Sequence, residues 1–108
     1  MSRAKGDAAE AQAVRFLMER GCRILERNAY SRFGEIDIIA EKGGALRFVE
    51  VKSGTGFDPI YNITPTKLGR IVKTAHAWLK KSGSDLPWQI DAVIVRDDGI
   101  EWLENITF

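Results

Sequence analysis

The sequence predicts an α/β protein in which helices flank a mixed β-sheet, with the element order αβββαββ. Two segments repeat apolar residues at helical spacing, and five other short segments are rich in branched apolar residues. The two kinds of segment are interspersed along the chain, which favours one sheet covered by helices. A chain of 108 residues is too short to build two well-buried cores, so we expect a single domain over residues 1–108.

The first half of the chain predicts one helix and three strands. Residues 7–20 carry apolar side chains at helical spacing, and Gly21 follows as a stop. Residues 22–26 form a short candidate strand, and residues 28–34 are typical of a polar turn. Strands follow at residues 35–40 and 46–52, and the Gly43-Gly44 break between them predicts a hairpin.

The second half predicts a long loop, a helix and a strand pair. Residues 53–63 contain two glycines and a proline, and loops of this length are commonly functional or mobile. Thr64 is a predicted N-cap with Pro65 in the first helical position, and the helix should end near Gly83. Residues 88–96 and 100–106 are predicted strands around the Asp97-Asp98-Gly99 turn.

Charged residues lie at one end of the predicted hairpin. Side chains alternate along a strand, so Glu50 and Lys52 continue the face on which Leu46 and Phe48 are buried. Asp37 lies in the preceding strand and should approach Glu50. Buried charges are costly unless they are paired or bound to a metal ion, so this placement predicts a site.

The predicted site suits hydrolysis of a phosphodiester bond. Two carboxylates that repel each other are ligands for a hard cation such as Mg²⁺ or Mn²⁺, so Asp37 and Glu50 are the candidate metal ligands. The ion would polarise the phosphate and lower the pKa of bound water, while Lys52 would orient that water or neutralise the phosphate. The alternative is a surface ion pair between Glu50 and Lys52, because Glu-x-Lys is common on strands.

Two further acids are candidates for the same site. Glu10 shares a helix face with apolar residues and would point toward the core, where it could act as a fourth catalytic residue. Its alternative is structural, since Asp7 to Glu10 resembles a capping box. Glu35 shares a strand face with Asp37. It either interacts with the metal ligands without binding the ion itself, or it is an ordinary charge at a strand end.

The second helix predicts a contact with nucleic acid. Net charge is only +1, yet residues 59–84 contain no acidic residue. Lys67, Arg70 and Lys73 lie opposite the apolar stripe of this helix and could bind phosphates. The alternative is a solvated helix face.

The sequence resembles the YraN-like family of small bacterial proteins, within the PD-(D/E)xK superfamily that includes archaeal Holliday-junction resolvases. The resemblance covers nearly the whole chain. It implies a restriction-endonuclease-like αβββαββ core and, by analogy, Mg²⁺-dependent cleavage of nucleic acid. It is carried by these segments: GDAAE with Glu10, Arg27-Asn28, GEIDIIA with Asp37, FVEVK with Glu50 and Lys52, Thr64 to Lys67, QIDAVIV with Asp91, and EWLENITF.

Together these features predict a metal-dependent nuclease that acts on DNA, with branched or damaged structures as candidate substrates. The alternative is a catalytically inactive module on the same fold that binds nucleic acid or a partner. So small a nuclease would need two copies to cut two strands, so a homodimer is one expectation. The first ten residues lack the apolar stretch of a secretory signal and the chain has no membrane-length apolar run, so we expect a soluble cytoplasmic protein.

Overall fold

The computed structural model describes residues 3–54 and 63–107. These residues form two helices and five strands in the predicted order αβββαββ. The elements are α1 (Arg3–Glu19), β1 (Arg23–Ser31), β2 (Gly34–Lys42), β3 (Ala45–Ser53), α2 (Pro65–Ser82), β4 (Trp88–Arg96) and β5 (Gly99–Leu103).

The five strands form one mixed sheet in the order β1-β2-β3-β4-β5. Neighbouring strands run antiparallel except β3 and β4, which are parallel. A parallel pair needs a crossover connection, and α2 supplies it between β3 and β4. The fold class is therefore the predicted α/β class, and it is consistent with a restriction-endonuclease-like core.

Both faces of the sheet are buried, each under one helix. On β3, Phe48 packs in the cluster that contains Ile71 and Ala75 of α2. Val49 points the other way, into the cluster that contains Ala13 of α1. The sequence indicated burial of the Leu46 and Phe48 face, and Val49 on the opposite face is also fully buried because α1 covers it.

The ends of α2 follow local capping rules and match the prediction. The Thr64 side chain accepts a hydrogen bond from the backbone N–H of Lys67, and Pro65 occupies the first turn, where no helical N–H partner is needed. Gly83 ends the helix in the left-handed conformation, with φ of 72°.

Most of the predicted long loop, residues 55–62, lies outside the described residues. Within the described part of the chain, no helix is long and apolar enough to span a membrane.

Three predicted boundaries are wrong. Helix α1 begins at Arg3, well before residue 7. Strand β1 continues to Ser31 through the predicted turn region, with Asn28 at a φ of 55°. Strand β5 ends at Leu103, although the Ile106 N–H still donates to the carbonyl of Ile90 at 2.8 Å.

A buried carboxylate fixes the segment after β5. Asp91 is 0% exposed and accepts hydrogen bonds from four donors. Two come from the Gln89 side chain and the Asn105 backbone at 2.8 Å, and two from Trp102 at 2.9 Å and Arg47 at 3.3 Å. Because the bonds from Trp102 and Asn105 come from β5 and the segment after it, Asp91 holds the C-terminal residues against the sheet.

Candidate functional site

The β2–β3 hairpin brings Asp37 and Glu50 together on two neighbouring interior strands of the sheet. The regular pairing of β2 with β3 ends at Ile38 and Val49, and the two acids are the next residues on either strand. The Val51 backbone N–H donates to Oδ2 of Asp37 at 2.8 Å, which fixes the orientation of that carboxylate. The Asp37 carboxylate is close enough to Glu50 to raise the pKa of that side chain. The two predicted metal ligands are therefore direct neighbours.

Lys52 completes this group, which we call the strand-end cluster (Asp37, Glu50 and Lys52). Its Nζ lies 3.8 Å from Oε2 of Glu50, which is a loose ion pair. The side chains of Lys52 and Glu50 are 25% and 15% exposed. The pair is thus more buried than the surface ion pair considered as the alternative, yet Lys52 remains open to an incoming group.

Glu50 is protonated more readily than an ordinary glutamate. Burial and then the neighbouring Asp37 carboxylate raise the pKa of Glu50 from 4.5 to about 8, and Lys52 opposes this only in part. Glu50 therefore favours its neutral, protonated form until a cation compensates the negative charge beside it.

Asn28 joins Glu10 to Glu35, and each of these acids interacts electrostatically with a member of the strand-end cluster. The Asn28 amide donates to both carboxylate oxygens of Glu10, at 3.1 and 3.2 Å, and to Oε2 of Glu35 at 2.9 Å. Arg27 lies 3.5 Å from Glu10. Asn28 therefore ties the helix-borne acid to the strand-borne one.

The capping-box interpretation of Glu10 is wrong. Because α1 begins at Arg3, Asp7 lies inside the helix and cannot be its N-cap. Glu10 is only 8% exposed and faces the sheet. Burial raises the pKa of Glu10, an effect that the hydrogen bond from Asn28 opposes and the negative charge of Asp37 reinforces.

The residues of the strand-end cluster fit a hard divalent cation. Carboxylate oxygens are the ligands that Mg²⁺ takes, and the repulsion between Asp37 and Glu50 is the kind that a cation relieves. Within residues 3–54 and 63–107, no group of three or more His, Cys, Asp or Glu side chains is arranged to hold a metal ion. The ion would therefore rely on two protein carboxylates, and water and substrate oxygens would fill the remaining positions, as is common for Mg²⁺.

The three predicted phosphate-binding residues of α2, Lys67, Arg70 and Lys73, are all exposed. The first of them is at the start of the helix, where its backbone N–H is used by the Thr64 cap. The last, Lys73, extends over the ring of Phe33 in the β1–β2 turn, with Nζ 5.4 Å from the ring centroid. This face of α2 is therefore continuous with the turn that leads into β2 and Asp37.

Asn28 is the site residue that the sequence argument did not assign a role. Its left-handed backbone turns its side chain toward α1, and both of its acidic partners are distant in sequence or on another strand. The signal available was an Arg-Asn pair in the middle of a segment that otherwise alternates as a strand. Asparagine is among the few residues that adopt this backbone conformation readily.

The fold and the strand-end cluster together define an α/β protein with a carboxylate and lysine group on two interior strands of a mixed sheet. The sequence profile of the uncharacterised protein family UPF0102 matches residues 9–95. The chain belongs to this family. It is the YraN family, which the sequence was predicted to resemble, and that prediction is confirmed.

Relatives from several bacteria match over almost their whole length. A UPF0102 protein of Wolinella succinogenes is 56% identical over 107 residues, which covers 99% of each chain. One of Helicobacter pylori is 53% identical over 106 residues, which covers 98% of this chain and 93% of that one. A third, of a Sulfurovum species, is 46% identical over 104 residues, which covers 94% and 92%.

Proposed function

We propose that this protein is a metal-dependent nuclease that hydrolyses phosphodiester bonds in DNA. The observation that carries the proposal is the pairing of Asp37 and Glu50, held together on neighbouring strands with Lys52 beside them. The Asp37 carboxylate raises the pKa of Glu50, and a buried acid with a perturbed pKa beside a second acid is typical of functional sites. Branched and damaged structures are the substrates that we would test first.

Each residue has a role in this proposal. When bound, Mg²⁺ or Mn²⁺ would supply charge neutralisation at the phosphate and a lowered pKa for water. Asp37 and Glu50 would hold the ion, and the hydrogen bond from the Val51 N–H fixes the orientation of the Asp37 carboxylate. Lys52 positions the attacking water or neutralises the phosphate oxygens. Glu10 supplies a further contact for water. Glu35 helps to fix the position of Glu10, because Asn28 donates hydrogen bonds to both acids.

The direct test is cleavage of labelled junction, flap, duplex and single-stranded DNA with Mg²⁺ or Mn²⁺. We expect the wild type to cut at least one substrate, and Lys52→Ala and Asp37→Ala to abolish cutting. Lys80→Ala is the matched control, because Lys80 is exposed in the last turn of α2 and distant in sequence from the cluster. Cutting that survives in Asp37→Ala at equal purity contradicts the proposed site.

A second candidate is a non-cutting module that binds nucleic acid through α2, favoured by the exposed cations Lys67, Arg70 and Lys73. It predicts DNA binding that weakens with salt and does not depend on metal. Charge reversal of all three residues should then remove most of the binding. Binding that is unchanged in this triple variant rules out the α2 surface.

We also propose that the protein works in the cytoplasm and as a homodimer. One strand-end cluster in each copy would allow both strands of a duplex to be cut. Sedimentation equilibrium at micromolar concentration should give twice the monomer mass of 12.1 kDa. A measured mass of 12.1 kDa at micromolar concentration contradicts the dimer.

A further inference from the structure

Arg27 adjoins the proposed catalytic acids but takes no part in the proposed chemistry. It lies in β1, and its Nη2 is 3.5 Å from Oε1 of Glu10. The register pairs Arg27 with Ile38 across β1 and β2, so Asp37 is the next residue on the neighbouring strand. The Cα atoms of Arg27 and Asp37 are therefore about 6 Å apart. Arg27 is thus beside the strand-end cluster, on its β1 side.

The contact of Arg27 with Glu10 is a loose one. Asn28 already donates to both carboxylate oxygens of Glu10, at 3.1 and 3.2 Å, whereas Arg27 reaches one of them at 3.5 Å. For comparison, the ion pair of Arg96 with Glu101 is 2.8 Å long. The orientation of Glu10 therefore depends mainly on Asn28 and much less on Arg27.

The guanidinium of Arg27 is accessible to a second partner. The Arg27 side chain is 44% exposed, while that of Glu10 is 11% exposed. A guanidinium carries five N–H donors in a planar fork, and the contact with Glu10 engages one nitrogen. Arg27 can therefore bind an acceptor that arrives from solvent while the hydrogen bonds of Asn28 keep Glu10 in place.

The acids around the site create a need for positive charge when a phosphate binds. The negative charge of Asp37 acts on both Glu10 and Glu50, so these three acids form one electrostatic group. Lys52 is a cation beside Glu50, and Arg27 is a cation beside Glu10. In the order of the sheet they lie on either side of Asp37, on β3 and on β1. Each of the two cations can therefore offset repulsion between the acids and a phosphate.

We propose that Arg27 binds a phosphate of the nucleic-acid strand, next to the phosphate that is cleaved at the strand-end cluster. The inference rests on the proposed function, because it names a contact between the substrate and the same site. The planar guanidinium can donate to two phosphate oxygens at once, which suits Arg27 to this contact better than a lysine would be.

The test is DNA binding without metal, measured by fluorescence anisotropy in EDTA over a series of KCl concentrations. Wild type, Arg27→Gln and Arg27→Lys are compared on labelled single-stranded and duplex DNA. We expect Arg27→Gln to weaken binding roughly tenfold and to reduce the salt dependence, measured as the slope of log Kd against log salt, by about 0.7 to 0.9, which is the change for one lost phosphate contact. Arg27→Lys keeps the charge, so its slope should match the wild type, while its affinity falls because the paired hydrogen bonds are lost.

Arg23→Gln is the matched control. Arg23 is an exposed arginine at the other end of the same strand, and it pairs with Glu41. Its replacement should leave both the affinity and the salt slope unchanged. Urea unfolding of every variant shows whether the fold is kept. Arg27→Lys retains a cation beside Glu10 and carries the test if Arg27→Gln unfolds.

Three results would overturn the inference. The first is an affinity and a salt slope in Arg27→Gln equal to those of the wild type, and the second is a wild type that binds neither DNA. The third is slower cleavage by Arg27→Gln with unchanged binding, which would mean that Arg27 only holds Glu10. Binding that depends on Arg27 in a protein that cuts nothing supports the phosphate contact and contradicts only the nuclease proposal.

Discussion

Replacing Glu50 by glutamine should stabilise the metal-free protein, and increasingly so as the pH rises. Burial beside Asp37 raises the pKa of Glu50 from 4.5 to about 8, so the fold favours the protonated form. Stability due to this proton is fully present below pH 4.5 and is lost as pH rises through about 8. Glutamine imitates the protonated side chain, because it is neutral and can donate to Asp37.

The magnitude follows from the pKa. Each unit of pKa difference is worth about 1.4 kcal/mol. The free energy of unfolding of Glu50→Gln should therefore exceed that of the wild type by about 1 kcal/mol at pH 5 and about 4 kcal/mol at pH 8. Glu19→Gln is the control, since Glu19 is exposed at the end of α1 and its replacement should change stability by less than about 0.5 kcal/mol.

Urea unfolding in EDTA at both pH values, followed by tryptophan fluorescence, measures these differences. A gain that is the same at pH 5 and pH 8 would show that the charge of Glu50 is not the source of the instability. A variant less stable than the wild type at pH 8 would refute the reasoning outright.

Three further predictions concern the surroundings of the site. Asn28→Gly should cost roughly 1–3 kcal/mol of stability, because the bonds from Asn28 to two carboxylates are lost. Asn28→Ala should cost roughly 1 kcal/mol more, because alanine does not favour the left-handed backbone conformation at this position. Equal losses for the two variants in urea unfolding would contradict a role for backbone strain. Asp91→Ala should cost roughly 3–5 kcal/mol, because the Gln89, Trp102 and Asn105 donors lose their acceptor and Arg47 loses one of its two carboxylate partners. A loss below about 1 kcal/mol in the same assay would contradict this. Lys52→Ala should change stability by less than about 1 kcal/mol, and a larger loss by calorimetric melting would mean that its effect on cleavage includes unfolding.

The elements governed by local chemistry were predictable from the sequence. Helix α2 begins and ends where Thr64, Pro65 and Gly83 indicate, because caps depend on neighbouring residues. The hairpin of β2 and β3 follows from two apolar runs around paired glycines. The approach of Asp37 to Glu50 then results from antiparallel pairing alone.

The features that depend on tertiary contacts were not predictable. Strand β1 passes through residues that are typical of a turn, since pairing with β2 and the Ser31 bond to α2 override their preference. The position of Glu10 depends on how α1 docks on the sheet, so local pattern suggested a cap instead. The role of Asn28 requires both the docking of α1 and a backbone conformation that no periodicity reveals.

The most direct test of the shared ion is a crystal structure of the protein soaked in Mn²⁺, with anomalous scattering used to locate the metal. The account predicts one anomalous peak between Asp37 and Glu50, at about 2.0–2.3 Å from an oxygen of each carboxylate. The same peak should be missing in Glu50→Ala. A wild-type crystal with both side chains ordered and no peak between them, or with the ion bound elsewhere, would contradict the account.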